Sequence, residues 1–415
     1  MSMNKPRGRQ GAKLDSQSKG FFTRAKRIMS HSLIGGLCDV IVIGSGPAGA
    51  SAALSLATSG VGVVVLERAS LPRYKACGGG VVKRALRFLP IDIRDMIERN
   101  CCVAEMNLLD AGLRFETKRQ DPIISMTMRG EFDFRLVSAA ERAGACIRPS
   151  CTVLEVFPEG EGLKVITSHG TLTARFVIAA DGAGGWVSRR AFRQDLRRFI
   201  PALEYEVFVD DNLFERFSRA ARFDFGVVPY GYGWVFPKKD HLSIGFLTTR
   251  GGCVNLNKTF NSYLYTLGIK SYIRIERHGW LIPVALRGKT FSAGRILLAG
   301  DAAGLADPVS FEGITFAIRS GQIAARSLID ANLRAQQVGE TYQSEIAAEI
   351  LPELDTARRL ATILYNFPKL RATLFKRYGQ MFCEGVTDIM TGDRTYREMV
   401  HNPINYLRLL KLRGS

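Results

Sequence analysis

The 415-residue chain is too long for one simple core, so two or more sub-domains sharing an interface are expected, and its 46% apolar content is ordinary for a soluble globular protein. Its eight cysteines (Cys38, Cys77, Cys101, Cys102, Cys146, Cys151, Cys253 and Cys383) show no CxxC pair or regular spacing, which excludes a zinc module or disulfide framework and fits a reducing compartment such as the cytoplasm. The net charge of +18 suggests nucleic acid until it is mapped: residues 1–37 carry eight Lys/Arg and one Asp, residues 357–415 carry eleven Lys/Arg and four Asp/Glu, and the body between is nearly neutral.

Two basic ends on a neutral body fit peripheral contact with an anionic membrane surface, or simply solvated charge. No helix–turn–helix, finger or aromatic RNA-binding signature accompanies them, so no nucleic-acid partner is expected. The first 37 residues read as a disordered basic tail. It lacks the apolar run of a secretory signal, while its poverty in acids leaves organelle import open.

Val40 to Leu66 carries no charge and is long enough to suggest a membrane span. Its five glycines, one proline and four serines argue for something else. "DVIVIGSGPAGASAALSLATSGVGVVVLER" predicts a strand over Asp39–Ile43, a glycine turn, an Ala-rich helix to about Ser59 and a second strand over Val61–Leu66. Gly44 permits the tight turn, Gly46 and Ala48 bring backbone to a pyrophosphate, and Gly49 lets the helix pack on the sheet. Glu67 ends the second strand, where it would accept from the ribose hydroxyls, with Arg68 beside it. Strand, turn, helix, strand and terminal acid in register predict dinucleotide binding.

"PRYKACGGG" (Pro72–Gly80) comes next. Three adjacent glycines mark a strained turn or a close approach to something flat; the cysteine before them is either a chemical group or packing. Further on, "FVIAADGAGGWVSRR" predicts a buried strand ending in Asp181-Gly182, and "GRILLAGDAAGLADPVSFEGITFAIRSG" a strand ending in Gly300-Asp301 before a helix starting near Glu312. These two segments resemble the second and third FAD fingerprints of flavoproteins related to p-hydroxybenzoate hydroxylase. That resemblance implies that Asp301 binds a ribityl or ribose hydroxyl. It also implies that the helix opening at Gly313-Ile314 aims its N–H groups at the flavin pyrimidine edge, where a positive helix end suits the reduced anion. Gly185 departs from the pattern, standing where a serine is common.

Between the fingerprints, "LEYEVFVD" (Leu203–Asp210) alternates like a half-exposed strand, and "FDFGVVPYGYGWVFPKKDHLSIGFLTT" reads as two or three antiparallel strands with a turn near Lys238–Asp240. The chain is therefore expected to be an α/β protein. Its Rossmann-type FAD-binding domain (38–200 and 285–340) carries an inserted antiparallel-sheet substrate domain (201–284) and a helical C-terminal region (341–415). "LYNFPKLRATLFKRYGQMF" and "NYLRLLKLRG" in that last region either cover an apolar tunnel, rest on a bilayer, or pack as ordinary helices. His241 and His278 are expected to be structural, and no metal site is visible.

The chain resembles the geranylgeranyl reductase family of flavoproteins over about residues 38–330. The resemblance is carried by "GSGPAG", "PRYKACGGG", "SMTMRGEFDFRLVSAAERAGA", "YGWVFPKKDHLSIG" and "GDAAGLADPVSFEGI". Its members use reduced FAD to saturate carbon–carbon double bonds of isoprenoid chains. It implies hydride from the flavin, and a greasy wall of Tyr232, Trp234 and Phe236 that solvates the tail and stabilises developing positive charge. Gly78, Gly79 and Gly80 would lie against the flavin or the tail, and Arg129 would reach the cofactor. Cys77 either helps protonate the alkene, positions the reacting bond, or packs in the turn; Tyr74 is a second candidate donor. NADPH or a ferredoxin would supply electrons. A monooxygenase or halogenase on the same scaffold is the alternative; Lys75 and Lys83 lie where a halogenase lysine would be sought, but neither sits in that family's context. A non-catalytic lipid- or flavin-binding protein is a third.

Overall fold

A computed structural model of the chain describes residues 37–191, 199–250, 255–283 and 290–401. The basic tail up to residue 36 and the terminal "NYLRLLKLRG" stretch lie outside the described residues.

Val40, Ile41 and Val42 are wholly buried, and an apolar run of this kind with no polar alternation belongs inside a sheet covered on both faces. Cys38–Ile43 is indeed a central strand, paired in parallel with Val63–Leu66 on one side and Gly170–Ala179 on the other. Ile296–Leu298 and Cys146–Arg148 extend the parallel order outward. The helix Pro47–Thr58 follows the first strand and packs against Arg129–Arg142 and Ile314–Asp330. The stretch without charges is thus a strand–helix–strand unit. Among the described residues no helix is long and apolar enough to cross a membrane.

A second sheet of seven strands runs in the order Arg274–Pro283, Phe199–Phe208, Leu242–Thr248, Gly231–Pro237, Ala220–Phe225, Val103–Leu108, Leu113–Lys118. It is wider than the interval 201–284 expected for an inserted sheet. Two of its strands come from residues 103–118, and one joins Ala220–Phe225 in parallel. A three-stranded sheet (Gly80–Val82, Ile124–Met126, Arg99–Cys101) flanks residues 103–118 in the chain.

One face of the seven-stranded sheet packs Leu203, Tyr205, Val207, Ile244 and Phe246 with Phe260 and Tyr263 of the helix Leu256–Thr266. The opposite residues of the Phe199–Phe208 strand, Glu204 and Glu206, are each only 3% exposed. The alternation in "LEYEVFVD" therefore marks two buried faces, one apolar and one polar, rather than a half-exposed strand. The loop 74–77 and residues 238–243 cover the polar face and supply its hydrogen bonds.

Candidate functional site

A cavity of about 850 Å³ is lined by the glycine turn, the loop from Glu67 to Gly80, both later fingerprints and the polar, aromatic face of the second sheet. Its size is at the upper end of the range of small-molecule sites.

The turn after the first strand is built as the sequence requires. Gly44 has φ +99°, and a Cβ there would meet Ala180 O at 2.4 Å; one on Gly49 would meet Gly44 O at 1.9 Å. Gly46 has nothing nearer than 3.8 Å to such an atom, so its backbone is open to the cavity. Glu67 ends its strand buried, accepting from Ser45 N (3.0 Å), Ser45 Oγ (2.7 Å) and Ala69 N (3.0 Å). Burial alone would raise its carboxyl pKa. The Ala69 bond, the Arg73 charge and the two Ser45 bonds outweigh it and hold the group below its usual range. Ala48 and the exposed Arg68 line the same end.

Asp181 and Gly182 line the cavity at the end of the Gly170–Ala179 strand. Asp181 Oδ2 accepts from Val187 N at 3.0 Å, and a Cβ on Gly185 would sit 2.2 Å from Oδ1, which accounts for glycine where serine was expected. Asp301 lies at the start of the helix Ile314–Asp330, its Oδ1 3.4 Å from the Cβ position of Gly313. Gly313 and Ile314 line the cavity there. These residues fit a dinucleotide: an open glycine turn, acids at the ends of parallel strands, and a helix N-terminus.

Arg129 is held by Asp133 through two bonds of 2.9 and 3.1 Å, one turn along its helix. Burial would lower its pKa, but Asp133 and the adjacent Cys77 raise it, so the guanidinium stays charged. Arg73 joins the same cluster, 3.4 Å from Glu67 and 3.2 Å from Asp133. Neither Arg73 nor Asp133 was picked out by sequence reasoning, although the i, i+4 spacing of Arg129 and Asp133 was a usable signal. Lys75 extends into the cavity with Nζ 2.9 Å from the Trp280 ring centre. Burial, then Arg129, pull its pKa down to about 7.

Tyr232, Trp234 and Phe236 sit at alternate positions of one strand and so share a cavity face, with Phe223 edge-on to Phe236 at 5.4 Å. The Tyr232 hydroxyl donates to Ser310 O at 2.6 Å. Gly78, Gly79 and Gly80 line the cavity too, but the reason for three glycines differs from the expected one. A Cβ on Gly78 would meet the Phe236 ring at 2.8 Å, one on Gly80 would meet Ile124 at 2.9 Å, and one on Gly79 (φ +66°) would meet Thr127 O at 2.1 Å and Lys238 Nζ at 2.4 Å. The missing side chains make room for protein behind the loop.

Behind that loop is a polar cluster that the sequence did not announce. Lys238, fully buried, donates to Gly78 O and Thr127 O, both at 2.8 Å. Glu204 accepts from Cys77 N (2.6 Å) and Ser243 Oγ (2.8 Å). The Tyr74 hydroxyl reaches Glu206 at 3.2 Å and Glu204 at 3.4 Å, and its ring stacks on His278 at 4.0 Å. Burial and the two glutamates raise the Tyr74 pKa strongly, so it keeps its proton. His241, expected from sequence to be structural, lies between Asp240 (2.7 Å) and Glu206 (3.0 Å). Among the described residues no group of His, Cys, Asp and Glu is arranged to hold a metal.

Residues 37–207 match the FAD-binding domain family. The chain is 30% identical to the chloroplastic geranylgeranyl diphosphate reductase of Arabidopsis thaliana over 321 residues, 72% of this chain and 67% of that one. It belongs to the FAD-dependent geranylgeranyl reductase family. Members of this family are flavin-dependent oxidoreductases, and FAD is the dinucleotide for this site. In fold the chain resembles a geranylgeranyl bacteriochlorophyll reductase-like protein of Thermoplasma acidophilum, with TM-score 0.70 and 24% identity over 86% of this chain and 91% of that one. The halogenase PltM shares the scaffold as well, with TM-score 0.65 and 19% identity over 87% of this chain and 85% of that one.

Proposed function

We propose that this reductase saturates carbon–carbon double bonds of an isoprenoid chain. The observation that carries the reading is the wall of Tyr232, Trp234 and Phe236 facing a cavity that also holds Cys77 and the FAD-cradle residues. FAD, when bound and reduced, supplies hydride. The chain's residues do the rest. The aromatic faces take up the apolar tail, exclude water, and stabilise positive charge developing at the more substituted alkene carbon. Cys77 provides the proton. Its amide is fixed by Glu204, its Sγ accepts from Gly79 N at 3.4 Å, and Arg129 lies against it. NADPH or a ferredoxin reduces the flavin, and anaerobic bleaching with each donor distinguishes them.

Residence is in the cytoplasm, with peripheral membrane contact for a lipid substrate. Exposed Ile363, Phe367, Leu370 and Leu374, flanked by exposed Lys369, Lys376 and Arg377, support such contact. Failure to float with anionic vesicles would remove it.

The test is anaerobic. Reduced protein mixed with geranylgeranyl diphosphate should reoxidise and yield product two mass units heavier per bond. Cys77→Ser should slow this by at least about tenfold while retaining FAD, since one acid–base group supplies about 10²–10⁴-fold. One observation favours a second reading on the shared scaffold: the amine of Lys75 inside the cavity. Reoxidation only by oxygen, with hydroxylated or halogenated product, would establish that reading instead. Purification without flavin would leave a non-catalytic binding protein.

A further inference from the structure

Saturating one alkene breaks one π-bond and forms two C–H bonds, one from hydride and one from a proton. The group that gives up the proton must then be recharged, and the cavity's lining sets charged groups such as Arg129, Glu204 and Asp301 beside its aromatic rings, with Tyr74 46% exposed at its edge.

A continuous file of polar side chains joins that cavity to the surface. Asp240, with its side chain 70% exposed, places Oδ1 2.7 Å from His241 Nδ1. His241 Nε2 lies 3.0 Å from Glu206 Oε2, an ion-pair contact that lacks the geometry of a hydrogen bond. Glu206 Oε1 accepts from the Tyr74 hydroxyl at 3.2 Å, and that hydroxyl lies 3.4 Å from Glu204 Oε2. Glu204 lines the cavity, and the same Oε2 accepts from Cys77 N. From Asp240 to Glu204 the steps span 2.7–3.4 Å, and Glu204 meets Cys77 at its backbone amide, one residue's backbone away from the thiol.

We propose that Glu204 recharges the proton-donating group at Cys77, and is itself recharged from water through Asp240, His241, Glu206 and Tyr74. The proposal rests on the alkene-saturation reading. Per bond, the alkene takes one proton from the Cys77 thiol, the thiolate takes one from Glu204, and one enters from solvent at Asp240. Tyr74 accepts from Glu206 while releasing its own proton to Glu204, so no tyrosinate forms. Glu204 acts through Cys77 and is a positioning and relay residue.

The surroundings suit each role. Facing Glu204 are Tyr74 and Cys77 from the loop, Glu206 along its strand, Lys238 from the turn, and His278 paired with it on the neighbouring strand. Burial, then Glu206, raise the Glu204 carboxyl to about 7, poised to exchange near neutrality. Facing Glu206 are His241, Lys238, Tyr74 and Glu98. Burial would raise Glu206, but the His241 bond and the Lys238 charge hold it below its usual range. Burial would lower His241, but its contacts with Glu206 and Asp240 raise it, so it keeps its proton to higher pH than a free imidazole.

Two measurements on the FAD-loaded protein test this. Glu204→Gln keeps an acceptor for Cys77 N and Ser243 but cannot pass a proton. With geranylgeranyl diphosphate, its turnover should fall about 10²-fold or more and lose the wild-type pH dependence near neutrality. His241→Ala should slow turnover and be rescued by added imidazole. Wild-type turnover with an unchanged pH profile in Glu204→Gln would overturn the relay. If the wild-type protein reduces no isoprenoid, the substrate reading fails and the relay is judged without turnover, by infrared titration of the holoprotein. A buried carboxyl band titrating near pH 7, lost in Glu204→Gln and shifted in His241→Ala, sustains the path; absence of that band overturns it.

Discussion

Replacing Lys238 with methionine isolates what the polar cluster contributes behind the triple glycine. The ammonium donates to Gly78 O and Thr127 O at 2.8 Å each, and it faces the buried carboxylates of Glu206 and Glu204. Methionine fills a similar volume, so a cavity term is small. Two charge-assisted bonds are lost, each worth about 1.5–3 kcal/mol, and two buried carbonyls are stripped of these donors. The carboxylates also lose a nearby cation. Relief from burying an ammonium offsets part of this, and removing one member of a buried pair typically destabilises by about 3–5 kcal/mol. That is the expected loss, read from urea unfolding of the FAD-loaded protein at neutral pH. Pairing Lys238→Met with Glu206→Gln removes a charge left without its cation. The double variant should therefore lose less than the sum of the singles by about 1–3 kcal/mol. A single-variant loss under about 1 kcal/mol, or strict additivity, would refute the view that Lys238 anchors the loop electrostatically.

Gly79→Ala should cost about 1–2 kcal/mol for its left-handed backbone alone, with the contacts to Thr127 O and Lys238 Nζ adding to it. The check is a urea midpoint together with FAD retention; a neutral substitution would mean the loop relaxes freely. For pH, Glu204 is raised to about 7, above its usual value of 4.5, so the folded protein binds more protons than the unfolded chain between those values. Its stabilising contribution is complete below about pH 4.5 and is lost as pH rises through 7. His241, also raised, has the same sign in a window above 6.5, whereas Glu206, held low, acts only below 4.5. Stability should therefore decline from about pH 5 to 8, and Glu204→Gln should flatten that decline; an unchanged slope would assign it elsewhere.

The FAD half was legible because its signals are local. A glycine turn between two apolar strands, an acid at a strand end and a helix opening at Gly313 are each fixed by residues near in sequence. The second sheet was less so. Residues 103–118 join it through pairing with Ala220–Phe225, a contact that no local pattern announces. The glutamates of "LEYEVFVD" show why. Alternation tells which residues share a face, and Glu204 and Glu206 do share one. Whether water or protein covers that face depends on the loop carrying Tyr74 and Cys77, more than a hundred residues away in the chain. The same distance hid the partners of Lys238, whereas His241 has one acid, Asp240, beside it in sequence and the other, Glu206, on a neighbouring part of the sheet.

The loop from Tyr74 to Gly80 is gripped from both sides. Glu204 holds the Cys77 amide, Arg129 lies against the thiol, Lys238 holds the Gly78 carbonyl, and Trp234 and Phe236 press on Gly78 where side chains are absent. A catalytic group displaced by 1 Å can lose about 10²-fold in rate, so this many constraints on so short a loop are what the proposed role of Cys77 would require. The scaffold itself is shared with a halogenase, so the two sheets do not decide the chemistry. The chemistry is set instead by local features such as the backing of that loop. Three glycines let aromatic rings and a buried lysine approach the backbone from behind, and a file of acids and a histidine runs from its Cys77 amide to the exposed Asp240. The glycines therefore serve position first, and the cavity keeps its space because the protein fills theirs.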